Sequence, residues 1–476
     1  MIFNSFNFLV VFPFLFLAYY IIPATKQSYR NLYLLIISYL LYINFKPIYA
    51  LILFAITVIT FFSAKILEKK KGLGSKKSIK ILTLGVIITL LPLLIFKYYN
   101  FINQSCFELL KVIGLKFELP GLNWAVPVGI SFFTFQALSY LWDVYYDKIK
   151  AEDNFLDYAL YLSFFPSIVS GPINKASLIL PQIKNLRPYF NYEKAVGGLK
   201  MILWGMFMKV VVADRVALYV DTVLSRYENY SGFSCFVASL LYTVQIYADF
   251  AGYSLMAIGV GRLLGFELTE NFRRPYLSYS VTDFWRRWHI SLSTWLKDYI
   301  YIPLGGSRCS KTRNYWNIVV TFLVSGIWHG ANWTFIVWGL WHGLFQVIEK
   351  ALNQQKCQYG IFGKSIKILI TFLLVNFAWI FFRMPTIEDA CSVIRRIFDL
   401  SVWGGLYLPE KTNTLFIVMG VSMLMIKDLA DEYRPGGLQL MCNRHLIMRW
   451  GTYLFLTILI MLSGVFDAGQ FIYANF

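Results

Sequence analysis

The chain has 476 residues, of which 58% are hydrophobic, 18% aromatic and only 15% charged, and its mean hydropathy is +0.56. A soluble domain carries nearer a quarter of charged residues, so this composition excludes an ordinary water-soluble globule and makes lipid the solvent of most of the chain. The formal charge of +18 would raise nucleic acid as a partner of a soluble protein; in a chain this apolar it is read as loop lysines and arginines that set membrane topology, and no nucleic-acid partner is expected.

The first apolar run, 5–22, lacks a basic leader and a small-residue cleavage site. It is therefore expected to be a retained span, with the mature protein beginning at Met1. Further clear runs lie at 32–45, 49–64, 81–97, 124–142, 197–213, 232–248, 317–346, 366–382, 414–426 and 450–465, and weaker ones at 155–170 and 249–265. They predict an all-α polytopic membrane protein of roughly a dozen helices, some short or re-entrant.

The segment Lys65–Lys80 holds seven lysines against one glutamate, Glu68, and is placed in the cytoplasm by the positive-inside rule. Counting spans from it puts the N-terminus outside, and puts Lys26, Arg30, Lys148 and Lys150 inside. Arg434, Arg444 and Arg449 place the loop before the last span inside as well, so the C-terminus is expected outside. No repeat or long polar segment interrupts the chain, which reads as one membrane domain, 1–476. Peripheral helices fill 1–122; a core at 123–346 carries Pro, Gly, His, Asp and Arg beside apolar runs; C-terminal helices and an outer tail occupy 347–476.

The six cysteines are scattered without paired spacing and suggest neither a metal site nor a disulfide framework. Within the core, Pro127-Val128-Gly129 and Ser170-Gly171-Pro172 resemble broken-helix signals, tolerated at membrane depth only in a protein interior or a wet cavity. Asp249 is costly inside a span, so it should face a cavity or a partner. In Phe284–Tyr299, Trp285, Trp288, Leu292, Trp295 and Tyr299 recur at three- and four-residue spacing opposite Arg286, Arg287 and Lys297. That pattern predicts an amphipathic helix in the interface plane, either a simple anchor or a cytoplasmic lip that meets an anionic donor.

Four histidines occur. His445 lies among arginines in a loop and reads as solvated. His329, in Ser325-Gly326-Ile327-Trp328-His329-Gly330-Ala331-Asn332-Trp333, falls within a run that would otherwise span the membrane, which makes it a functional-site hypothesis. A neutral imidazole can take a proton from a hydroxyl, and the flanking glycines are expected to leave room for a substrate beside the ring. A satisfied structural histidine is the alternative. His342, in Trp338-Gly339-Leu340-Trp341-His342-Gly343, repeats the pattern, with helix packing as its plainer role.

The stretches Phe284–Gly306, Gly326–Trp341, Tyr247–Gly259 and Phe165–Pro172 closely resemble the membrane-bound O-acyltransferase family, in the branch of the alginate O-acetylase membrane subunit, peptidoglycan O-acetylation proteins and the D-alanyl transferase of teichoic acids. The likeness runs in order from Met1-Ile2-Phe3-Asn4-Ser5 to the C-terminus. It implies a ring of helices around a central tunnel, with catalytic histidines at His329 and His289. It also makes Trp285, Arg286, Arg287, Trp288, Asp249, Asn332 and Trp328 donor or tunnel candidates.

No bound cofactor is implied; the co-substrate would be acetyl-CoA or an acyl-carrier thioester, its phosphates meeting Arg286 and Arg287. The terminal Phe471-Ile472-Tyr473-Ala474-Asn475-Phe476 resembles the end of the small protein that accompanies the D-alanyl transferase, making Tyr473 a candidate acyl relay; an aromatic belt is the alternative. Implied partners are membrane lipids, an exported SGNH-type acyltransferase and an acyl carrier protein, at a bacterial inner membrane. A transporter is the rival class, but it would favour acidic or basic pairs inside spans and an internal repeat, and neither is evident in the sequence.

Overall fold

A backbone in lipid must close its own hydrogen bonds, and a helix does so within one segment. The computed structural model describes residues 3, 5–70, 75–115, 119–187, 189–352, 360–434, 441 and 445–466, and among them all regular structure is helical. Arg444 and the tail with Tyr473 lie outside the described residues. Two compact units emerge, Met1–Gly198 with Val260–Thr269, and Leu199–Gly259 with Glu270–Phe476.

The first unit holds α1 (Phe6–Ile21), α2 (Gln27–Ile43), α3 (Pro47–Lys70), α4 (Ser75–Leu93), α5 (Tyr99–Val112), α6 (Ile130–Tyr145), α7 (Phe155–Ser163), α8 (Phe165–Ile168) and α9 (Ala176–Lys184). Nearly every side chain of α6 is buried, so this run is an interior helix and not a lipid-facing one. Both broken-helix signals are non-helical: Gly129 takes φ 76° ahead of α6, and a Cβ there would lie 2.2 Å from the carbonyl oxygen of Ile168, the last residue of α8. Tyr42 donates to the freed Val128 carbonyl at 2.7 Å, the kind of internal partner such backbone needs.

α10 (Tyr192–Met206) and α12 (Gly232–Leu263) have residues in both units; α11 (Asp214–Leu224) and the rest belong to the second. There follow α13 (Val281–Arg287), α14 (Ile290–Leu296), α15 (Lys311–His329), α16 (Trp333–Ala351), α17 (Ile361–Arg383), α18 (Ile387–Phe398), α19 (Lys411–Tyr433) and α20 (Leu446–Ser463). By length and composition seven helices of the described chain can cross a membrane, with Asn7–Ile21 a shorter apolar one. The protein is a multi-pass membrane protein. The runs at 232–248 and 249–265 join in the single helix α12, α1, α2 and α6 are shorter than 18 residues, and the run at 317–346 is two helices, α15 and α16, folded back on each other.

That hairpin is held backbone to backbone. A Cβ on Gly326 would stand 2.3 Å from the Phe335 carbonyl oxygen, and one on Gly339 would stand 2.4 Å from that of Phe322, so the close crossing depends on small residues, as in other membrane helix pairs.

Asp249 faces a partner. Its carboxylate and that of Asp214 each lie 2.7 Å from the Lys209 ammonium, and Lys209 sits in a π-turn, Phe207–Ala213, after α10. The expectation that spans carry no acid–base pair is thereby corrected. The Lys209–Asp249 pair is invisible in a linear pattern because its members lie 40 residues apart.

Candidate active site

His329 is the last residue of α15, not a mid-helix residue. The chain extends through Gly330 and resumes as α16 after Asn332, whose side chain caps the new helix by accepting from the Thr334 amide at 3.0 Å. The Asn332 amide also donates to the Pro385 carbonyl at 2.7 Å. Asn332 thus fixes the turn, with its side chain hydrogen-bonded to backbone at both ends.

The imidazole of His329 is buried within an aromatic cage. Its ring centroid lies 4.9 Å from Trp328, 4.9 Å from Trp338 and 5.3 Å from Phe382. The space expected beside the glycines is not open: a Cβ on Gly330 would stand 2.1 Å from the Phe335 ring. Phe382 and Trp379, both on α17, escaped the sequence reading. Their Trp-x-x-Phe spacing on a plain apolar run gave no sign of a site.

The segment 284–299 is not one interfacial helix. α13 ends at Arg287, Trp288 is extended, and His289 takes φ 42° and ψ 55° before α14 begins. A left-handed histidine costs roughly 1–3 kcal/mol and persists only where surroundings hold it. Asn271 does so: its carbonyl accepts from the Ile290 amide at 2.9 Å and its side-chain oxygen from the Ser291 amide at 3.2 Å.

Trp285, Trp288, Leu292, Trp295 and Tyr299 are all buried, so the aromatic stripe is protein core and not a lipid anchor. Trp288 packs 5.0 Å from Trp379 and 5.0 Å from Phe272. The bend delivers the His289 ring to 4.6 Å from Phe250 and 5.9 Å from Trp328, the neighbour of His329. His289 lies between helices, outside the candidate spans, and burial pushes its imidazole down to about 3, so it is neutral near pH 7.

The two adjacent arginines part company. Arg287 lies 2.8 Å from Glu432 and 3.1 Å from Asp283, so it cannot serve the phosphates expected of it. Arg286 is exposed and helps line a cavity of about 650 Å³ with Lys297, Lys350, Gln346, Trp285 and Phe322. α13 is fixed over this cavity by Glu349, whose carboxylate accepts from the Val281 amide and, at 3.0 Å, the Thr282 amide at the helix start, where an anion also complements the helix dipole.

A buried histidine at a helix break, held between two indoles and a phenyl ring, suits proton transfer, and the cavity lined by Arg286, Lys297 and Lys350 suits an anionic ligand. The model of the membrane-bound O-acyltransferase family matches residues 39–387. The chain belongs to that family.

This acyltransferase is 38% identical over 409 residues to the protein named probable alginate O-acetylase AlgI of Pseudomonas aeruginosa, covering 85% of this chain and 76% of that one. It is 34% identical over 461 residues to the peptidoglycan O-acetyltransferase of Helicobacter pylori, covering 89% and 85%. A more distant relative, the teichoic acid D-alanyltransferase of Bacillus subtilis, is 25% identical over 254 residues, 52% of this chain and 62% of that one. The enzyme is an O-acyltransferase. Among the described residues no group of three or more His, Cys, Asp or Glu could hold a metal ion.

Proposed function

We propose that this enzyme carries an acyl group, specifically acetyl, from a cytoplasmic thioester to a hydroxyl on the outer side of a bacterial inner membrane, for O-acetylation of a cell-surface or exported polysaccharide. The observation that carries this reading is the placement of His329: buried at a helix break, and separated by its aromatic neighbours from a cavity edged with Arg286, Lys297 and Lys350.

His329 acts as general base. The acceptor oxygen attacks the thioester carbonyl carbon as its proton passes to His329; the C–S bond then breaks, and the leaving thiolate takes that proton. Holding donor and acceptor in line supplies much of the rate, up to ~7–11 kcal/mol for a well-oriented pair. His289, neutral and one tryptophan away, orients a reactant. Arg286, Lys297 and Lys350 hold the donor's phosphates.

The names of the relatives in Pseudomonas and Helicobacter favour acetyl as the group carried and a glycan as its destination; acetyl-CoA is the donor in this scheme, with an acyl-carrier protein as the second reading. In this scheme both termini lie outside, Tyr473 receives the acyl group, and an exported SGNH-type transferase moves it to the glycan. Purified protein given labelled acetyl thioester and an acceptor tests the core claim. His329→Ala that folds and still transfers label sinks it, and an acyl adduct on Tyr473→Phe protein removes the relay alone.

A further inference from the structure

One face of α16 presents Trp338, His342, Gln346 and Lys350 at four-residue spacing, a run of about 18 Å. Gln346 and Lys350 line the cationic cavity, while Trp338 is the ring against His329. A matching face of α15 runs from Ile318 and Phe322, which also line the cavity, through Ser325 to His329. His342 lies between the two ends: its ring is 5.2 Å from Trp285, a cavity wall, and 5.0 Å from Trp338.

His342 is 1% exposed, and among the described residues neither ring nitrogen has a hydrogen-bond partner; the same holds for Ser325 Oγ and for the indole nitrogens of Trp285 and Trp338. Buried polar groups left so are costly and call for an explanation. Packing alone gives none, because a phenyl ring would fill the same aromatic surroundings without a polar atom. A neutral imidazole offers one donor and one acceptor, which is what a secondary amide requires.

We infer that His342 hydrogen-bonds the amide-bearing pantetheine arm of the acyl donor as it runs from the cationic cavity to His329. The inference rests on the acyl-thioester reading above. Pantetheine is common to CoA and to acyl-carrier proteins; Ser325 and the two indole N–H groups offer further partners along the arm, and the cavity cations take its phosphate.

The test compares wild type with His342→Phe and His342→Gln, using acetyl-CoA, S-acetylpantetheine, an acetylated holo carrier protein and S-acetyl-2-mercaptoethanol, which lacks the amides. His342→Phe is expected to keep its melting temperature and lose about tenfold in kcat/KM with the pantetheine donors it uses, as the loss of one hydrogen bond predicts. Turnover of the amide-free thioester should be unchanged, and His342→Gln should recover part of the loss. Whichever of the CoA and carrier donors turns over names the source of the arm. Full activity of His342→Phe, or equal loss with the amide-free thioester, overturns the inference.

Independently of that variant's folding, a CoA analogue with a diazirine in its arm should label residues 338–346 of the wild-type protein; labelling confined to other segments also overturns it. Wild type that transfers from no thioester fails the proposed function instead.

Discussion

The His329 imidazole stands edge-on to the Trp338 indole, ring centroids 4.9 Å apart and planes at 86°. One ring ends α15 and the other lies in the second turn of α16, so the three-residue turn between the helices sets their geometry. Trp338→Phe should keep the fold and most of the cage, whereas Trp338→Ala removes a fully buried indole, at ~3–5 kcal/mol. With the imidazole free to shift by an ångström, acyl transfer should drop by about a hundredfold. Turnover of labelled acetyl thioester by the two variants checks this; equal rates would contradict a positioning role for the indole.

The glycine contact that closes the hairpin makes a second prediction. Gly326→Ala places a Cβ 2.3 Å from the Phe335 carbonyl oxygen, and backbone cannot move aside as a side chain can. The overpacking should cost at least ~1–3 kcal/mol and lower activity with it. Gly451→Ala, in α20 with no atom of the described residues within 4 Å of the new Cβ, is the control and should be neutral or stabilising by ~0.5–1 kcal/mol. Thermal unfolding of both in one detergent decides.

Much of this site was legible as residue types and little as geometry. His329 stood out because an imidazole in an apolar run is rare, and the helical class followed from hydropathy. The aromatic stripe from Trp285 to Tyr299 misled because periodicity reports a face, not its neighbour; indoles pack equally well against lipid headgroups and against a protein core. The bend at His289 depends on Asn271, which the linear pattern of the segment does not contain. Asp249 and Lys209 declare themselves as a pair only once α12 lies beside the turn after α10.

His289 predicts a pH dependence. Its ordinary value is 6.5 and burial lowers it to about 3 in the folded protein. Above 6.5 both folded and unfolded chains hold it neutral; below, only the unfolded chain takes up the proton, so stability falls as pH drops from about 6.5 toward 3. His289→Asn tolerates the left-handed backbone and does not titrate, so its stability should decline less steeply between pH 7 and pH 5 than that of wild type. Identical slopes in melting temperature against pH would refute this assignment.

Arg286 and Arg287 are neighbours with opposite surroundings, and the final prediction separates them. Arg287 is 18% exposed at its side chain and bonded to Glu432 and Asp283; its replacement by alanine leaves two part-buried carboxylates short of a donor, so Arg287→Ala should lose about 1–3 kcal/mol of stability. Arg286 is exposed and lines the cavity, and among the described residues it carries no ion pair that its loss would break. Arg286→Ala should therefore melt with wild type but show KM for a phosphate-bearing donor raised roughly tenfold, the worth of one charge-assisted hydrogen bond. S-acetylpantetheine, which lacks the phosphate, should not distinguish Arg286→Ala from wild type. A KM that rises equally with both donors would move Arg286 from phosphate binding to the shape of the cavity.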